Sequence, residues 1–366
     1  MKIVVDLDPD TYERIKQFVV NGEYESVEQF LRASADNQLT IEAGGGSTLS
    51  AEPEATRASA AAPSAETGEK PAISEAPTEE FTWGLGLPET VPTRAPFPID
   101  RSEILLFSQY YRFLPLKFVL HRLAVESASA DESLTLETFR DHVSEAVLPV
   151  RDSIHQWETR ENIPKGERFS TAFPKQDVSD PARTMRRYLN HYVGRYQPRN
   201  ESPSGFGHDL EFVSIEVSNN VVTIQLTEAG LAFTRLPNPV LEHGPEAADA
   251  RLSDDEQAFL VTHIRETMDL EYEFMEFVYD TLEHHDQTYT QLMGRFRSFL
   301  ENTPEFSSDA SVNQIRSHTA GTISRMVSLG ILTRGSRRGV YETVRPLTAY
   351  RKPTNPPTDT ANNESQ

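Results

Sequence analysis

The spacing of polar and apolar positions changes several times along the chain. Over Lys2-Ile3-Val4-Val5-Asp6-Leu7 they alternate, which predicts one short strand with Ile3, Val5 and Leu7 inward and Lys2, Val4 and Asp6 outward. Asp8-Pro9-Asp10 ends that strand and starts a helix, because proline suits a first helical turn and acids suit its positive end. Tyr12, Ile15, Phe18 and Val19 follow at helical spacing, and Asn21-Gly22 closes the helix. Ser26 and Gln29 have the spacing of a capping box, ahead of a second helix with Val27, Phe30, Leu31 and Leu39 on one face. A lone strand leaves its backbone groups unsatisfied, and no partner strand lies nearby in the chain. The economical solution is the same strand from a second copy, so residues 1–40 are expected to form a homodimer.

Periodicity then lapses. Residues 41–98 are poor in apolar side chains and rich in Ala, Pro, Ser, Glu and Thr, and they read as a disordered linker. Phe81 to Pro88 is an apolar island in it, with two readings: the leading edge of the next domain, or a docking segment for a protein partner. Helical spacing returns over residues 99–242. Ile104-Leu105-Leu106-Phe107 and Phe113 to Leu123 read as helical, with Pro115 starting a new segment. Leu134 to Trp157 carries Leu136, Phe139, Val143, Val147, Val150 and Ile154 at helical intervals, and Asp180-Pro181 opens a shorter helix from Ala182 to Tyr196. Two β-rich runs, 211–217 and 221–226, meet at Asn219-Asn220, a hairpin signal.

A connector from Pro237 to Arg251 follows. In residues 252–351, Ser253 and Glu256 make a second capping box, and Phe274, Phe277, Val278 and Leu282, then Leu292, Phe296, Phe299 and Leu300, mark further helices. Val312 to Leu329 leads into Gly330-Ile331-Leu332, a basic tip at Gly335-Ser336-Arg337-Arg338-Gly339 and the run Val340 to Val344. Residues 352–366 read as a polar disordered tail. The expected fold class is mainly α with small β elements.

Two resemblances follow from these residues. Gly22-Glu23-Tyr24-Glu25-Ser26 and the Val27-to-Ala33 helix make Met1 to Leu39 resemble the ribbon-helix-helix superfamily of the MetJ/Arc/CopG kind. That resemblance implies strand-paired dimers, a ribbon in the major groove read through Lys2, Val4 and Asp6, and a phosphate at Ser26. Asp6 departs from the family, in which a basic residue is usual there; a carboxylate repels phosphate, so the ribbon either reads bases or only dimerises. The helix-then-hairpin order of 99–242 and of 252–351 resembles winged-helix domains, which gives two winged-helix-like α+β units behind the linker. The whole layout resembles the long form of archaeal ribbon-helix-helix regulators of cell-division genes.

Charge sharpens the picture. The chain of 366 residues carries 56 acids against 35 bases, a net −21, and has no lysine between Lys175 and Lys352. Acids spread through every segment suit a protein kept soluble in a salty cytoplasm. Any nucleic-acid contact then depends on local basic faces. Arg183, Arg186 and Arg187 share one face of a predicted helix at i, i+3 and i+4. Arg316, His318, Thr319, Thr322 and Arg325 lie on the predicted recognition helix of the second unit, and Arg334, Arg337 and Arg338 on its wing. Glu283-His284-His285-Asp286 is a poor chelate, because adjacent side chains on a helix point about 100° apart. No metal or cofactor is expected. The absence of cysteine excludes disulfides and thiolate chemistry, and no phosphate loop, nucleophile elbow or HExxH occurs, so no enzymatic activity is expected. No apolar run is long enough to span a membrane.

These readings converge on a DNA-binding transcriptional regulator of double-stranded DNA, cytoplasmic and nucleoid-associated, acting as a homodimer through residues 1–40. The same modules also fit a protein-interaction adaptor, or a plasmid-maintenance or defence component.

Overall fold

The computed structural model describes residues 86–350 except 131–132, 165–166, 199–200, 248–251, 284–288, 302, 304–311 and 336–339. Of the first 85 residues it describes Tyr12, Ile15, Lys16, Val27 and Leu31. The chain divides into two compact units, Met1–Ser74 and Glu75–Gln366. In the first, the five described residues are helical, Ile15 is buried and the Lys16 ammonium lies 4.9 Å from the centre of the Tyr12 ring. The expected strand, with Lys2, Val4 and Asp6, and the Ser26 cap lie outside the described residues.

The second unit is mainly helical with small antiparallel sheets. Helix α1 spans Leu114–Ser129 with a proline in its first turn, and α2 spans Leu136–Arg160, capped by the Thr135 hydroxyl. Helix α3, Pro181–Tyr188, is capped by Asp180 and continues as a wider π-helical turn, Leu189–Val193. Gly194 then turns the chain at φ 111°, so this helix ends short of the expected Tyr196. Strands β1 (Arg195–Gln197) and β2 (Ser202–Ser204) pair, and α4 (Phe206–Asp209) follows. Strands β3 (Val213–Ser218) and β4 (Val221–Leu226) form the predicted hairpin. Asn219 and Asn220 both take left-handed backbone, φ 53° and 63°, which a two-residue turn of this twist requires.

After α5 (Glu228–Arg235) and α6 (Pro239–His243) come α7 (Asp254–Thr267), α8 (Asp269–Glu283), α9 (Tyr289–Glu301) and α10 (Val312–Ser328). The Ser253–Glu256 capping box forms as the spacing predicts. Strands β5 (Leu332–Arg334) and β6 (Tyr341–Thr343) pair antiparallel.

The stretch expected as the end of the linker is part of this unit. Val91 is buried, the Arg94 amide donates to the Leu226 carbonyl at 2.8 Å, and Thr93 bridges Leu226 in parallel. The free edge of β4 supplies acceptors that a disordered tether would leave to water. Leu87 also packs on the core, as does a leading edge of the domain.

One buried apolar cluster runs from Val91 to Tyr350, so the 99–242 and 252–351 segments share a core. Two buried ion pairs also join them. Lys117 of α1 meets Glu256 of α7 at 3.0 Å, and its ammonium donates to the Phe233 and Leu236 carbonyls. Glu256 also accepts from Asn238 and from the Ser253 amide, so the capping carboxylate doubles as the counter-ion.

The second pair is Arg325 of α10 with Glu271 of α8, at 2.7 Å. Residues 104–110 are extended and turning, against the helix expected for Ile104 to Phe107. Arg325 donates to the carbonyls of Leu106, Phe107 and Tyr110, and Glu271 accepts from the Leu106 amide. Side chains from far along the chain thus satisfy the backbone groups that helical bonds would have satisfied.

Candidate nucleic-acid interface

The predicted arginine helix is present and its two faces are distinct. Tyr188 and Tyr192 are buried four residues apart and pack on Phe173 and Phe206. Arg186 and Arg187 are exposed and Arg183 is half-buried. No carboxylate among the described residues pairs with Arg183 or Arg186, whereas Arg187 donates to the Gln109 side-chain oxygen. The inner tyrosines fix the rotation of the helix, and the guanidinium groups therefore face out. Arg140 of α2 holds the end of the π-helical turn, donating to the Gly194 carbonyl and, at 2.8 Å, to Asn190.

Beside this helix lies the 104–110 segment. Leu105, Leu106 and Tyr110 are buried, but Phe107 is 43% exposed. His191, from the π-helical turn, meets the Phe107 ring edge-on at 5.5 Å. His318, from α10, meets it edge-on at 6.5 Å. Ser317 and Ser108 bond through their hydroxyls at 2.9 Å. Gly321 lets α10 approach, since a Cβ there would lie 2.6 Å from the Ser108 carbonyl oxygen. Burial lowers His191 to about 3, helped by Arg187 and Arg195, and lowers His318 to about 4, helped by Arg325. Both rings are neutral near pH 7, so positive charge on this face comes from arginine.

The second arginine set is placed otherwise than expected. Thr319, Thr322 and Arg325 are fully buried. Arg325 is spent on Glu271, Thr322 and three carbonyls, so its guanidinium is not offered to solvent. The helical pattern that suggested a groove-reading face describes a face packed on the 104–110 segment. Arg316 is half-buried, about 200° round the helix from His318. Arg334 is exposed on β5, while Arg337 and Arg338 lie outside the described residues. His284 to Asp286 lie outside them as well, and the His263 ring bonds the Leu210 carbonyl at 2.6 Å.

Sequence reasoning missed Phe107 and His191, and grouped His318 with the arginines of α10 rather than with Phe107. Phe107 stood in an apolar run that reads as core. The two histidines sit in different helices, and only the fold brings both to one ring. Among the described residues no helix is long and apolar enough to cross a membrane. Comparison with family models, with curated proteins and with solved structures returned no match.

Proposed function

We propose that the chain is a DNA-binding transcriptional regulator whose duplex-contacting face is the arginine side of α3. The observation that carries this reading is a helix with outward Arg183, Arg186 and Arg187, two of them without carboxylate partners among the described residues, on a protein of net −21. In so acidic a chain, unpaired guanidinium groups on a fixed helix suit phosphate oxygens or guanine edges. The layout around them supports a winged-helix reading. The α1–α2 connection makes a single antiparallel bridge, Thr135 to Thr223, beside the β3–β4 hairpin. Helix α10 acts as a brace for the 104–110 segment. Residues 1–40 join two chains, so each assembly offers two arginine faces and gains avidity.

The test is a binding titration over several salt concentrations on DNA recovered from cells at native salt. Arg186→Ala with Arg187→Ala should weaken binding to all sequences alike and lower the salt slope by about 0.9 per lost phosphate contact. Removal of residues 1–40 should halve the mass by light scattering and lower apparent affinity. A wild-type protein that binds no DNA at any salt would refute the regulator. The adaptor reading would then stand, and one observation favours it: Val217 and Val221, beside the β3–β4 turn, are 43% and 45% exposed.

A further inference from the structure

The regulator reading leaves Phe107 unexplained. An exposed phenylalanine is ordinarily unremarkable. This one differs in how its backbone is held. The carbonyls of Leu106, Phe107 and Tyr110 accept from one fully buried guanidinium, at 3.4, 3.3 and 3.1 Å. Glu271, itself fully buried, takes the Leu106 amide at 3.0 Å. Leu106 and Tyr110, on either side, are anchored in the core. The fold therefore immobilises the chain around Phe107 and leaves its ring outside.

The ring is supported from several sides. Tyr110, His191 and His318 meet it edge-on at 5.4, 5.5 and 6.5 Å. Such edge contacts fix a ring's orientation and leave a face available. The supports come from the segment itself, the π-helical turn and α10, so both halves of the unit contribute.

Charge indicates what the ring meets. Arg187 bonds Gln109, two residues from Phe107, and Arg187 and Arg195 both act on His191. Of the carboxylates acting on this segment, Asp209 is engaged with the Tyr110 hydroxyl, on which Arg195 also acts, and Glu271 is buried against Arg325. The surroundings of the ring are thus positive in a strongly negative protein. A partner that suits both features carries anionic oxygens beside flat π faces.

We infer that Phe107 stacks on a base of the bound DNA at a step opened out of the helical stack, while the adjacent arginines of α3 hold the phosphates. The inference rests on the regulator reading and deepens it. Base stacking on an aromatic ring tolerates any base, because every base has a π face. Apolar side chains inserted at a step unstack it and kink the duplex. A ring whose backbone is already fixed loses little freedom on binding.

The experiment uses the full chain and short duplexes, either fully paired or with a single mismatch, carrying 2-aminopurine at successive steps. Wild-type protein should raise 2-aminopurine fluorescence at one step and bind the mismatched duplex more tightly. Phe107→Ala should lose that fluorescence change and about tenfold in affinity, with the salt slope unchanged. Phe107→Trp should keep both. Phe107→Leu keeps apolar volume without the ring, and should behave as Phe107→Ala at an unchanged melting temperature; this comparison stands even if the alanine variant folds poorly. Wild-type-like affinity and fluorescence in Phe107→Leu would overturn the stacking inference while leaving the regulator intact. Absence of any DNA binding by the wild type would instead refute the regulator, and stacking with it.

Discussion

Arg325→Ala separates a structural guanidinium from a base-reading one. Arg325 and Glu271 are both fully buried and 2.7 Å apart. Removing one partner of such a pair leaves an uncompensated buried charge and costs about 3–5 kcal/mol. The same change strips donors from the carbonyls of Leu106, Phe107 and Tyr110. Each buried acceptor left unsatisfied adds roughly 1–3 kcal/mol, although the sum is not additive and water entering the vacated space offsets part of it. A total near 5 kcal/mol is expected, a large share of the stability of an ordinary domain. For a unit of this size the melting temperature should fall by roughly 10–20 °C. Burial pushes the Glu271 carboxyl up, and without Arg325 only the hydrogen bond from the Leu106 amide opposes that rise. Glu271→Gln in the Arg325→Ala background should therefore recover part of the loss, since a neutral amide needs no counter-ion. The assay is urea unfolding of the full chain followed by far-UV circular dichroism, with the double-mutant cycle closed by Glu271→Gln alone. A loss below about 1 kcal/mol in Arg325→Ala, together with relaxed preference at one base pair, would refute this account and return Arg325 to the groove.

Other expectations follow from the same packing. Gly321→Ala places a methyl 2.6 Å from the Ser108 carbonyl oxygen, so α10 must move away from the 104–110 segment; a loss of about 1–3 kcal/mol is expected by urea unfolding, and an unchanged midpoint would show that the contact is not close. Acid should weaken the fold through histidine. His191, His318 and His208 are lowered from 6.5 to about 3, 4 and 4, so each unfolded histidine binds a proton more readily than its folded form. Their contribution is complete above about pH 6.5 and is lost progressively as pH falls to about 4 for His208 and His318 and about 3 for His191, in a potentiometric or unfolding titration; stability that stays flat across that window would contradict the burial of these rings.

Local patterns carried much of the fold. The β3–β4 hairpin was legible because its turn depends on two adjacent asparagines that tolerate left-handed backbone. Helix α2 was legible because six apolar residues keep one period, and the start of α7 because Ser253 and Glu256 satisfy each other within four residues. The outward face of α3 was legible for the same reason: its arginines and its buried Tyr188 are set by helical spacing alone. Apart from the end of the arginine helix, which Gly194 sets locally, what was misread depended on a partner distant in sequence. Ile104 to Phe107 has the composition of a helix, but its carbonyls are taken by a guanidinium 218 residues from Phe107. Residues 91–94 have the composition of a tether, but β4 offers them an open edge. Arg325 and Arg187 are alike as residues in arginine-bearing helices, and only tertiary packing seals one and exposes the other. Periodicity reports which face of an element is apolar, and the physics behind it acts over a few residues. Whether a charged side chain meets a buried carboxylate or open solvent depends on which distant segment arrives beside it, and no local spacing encodes that arrival.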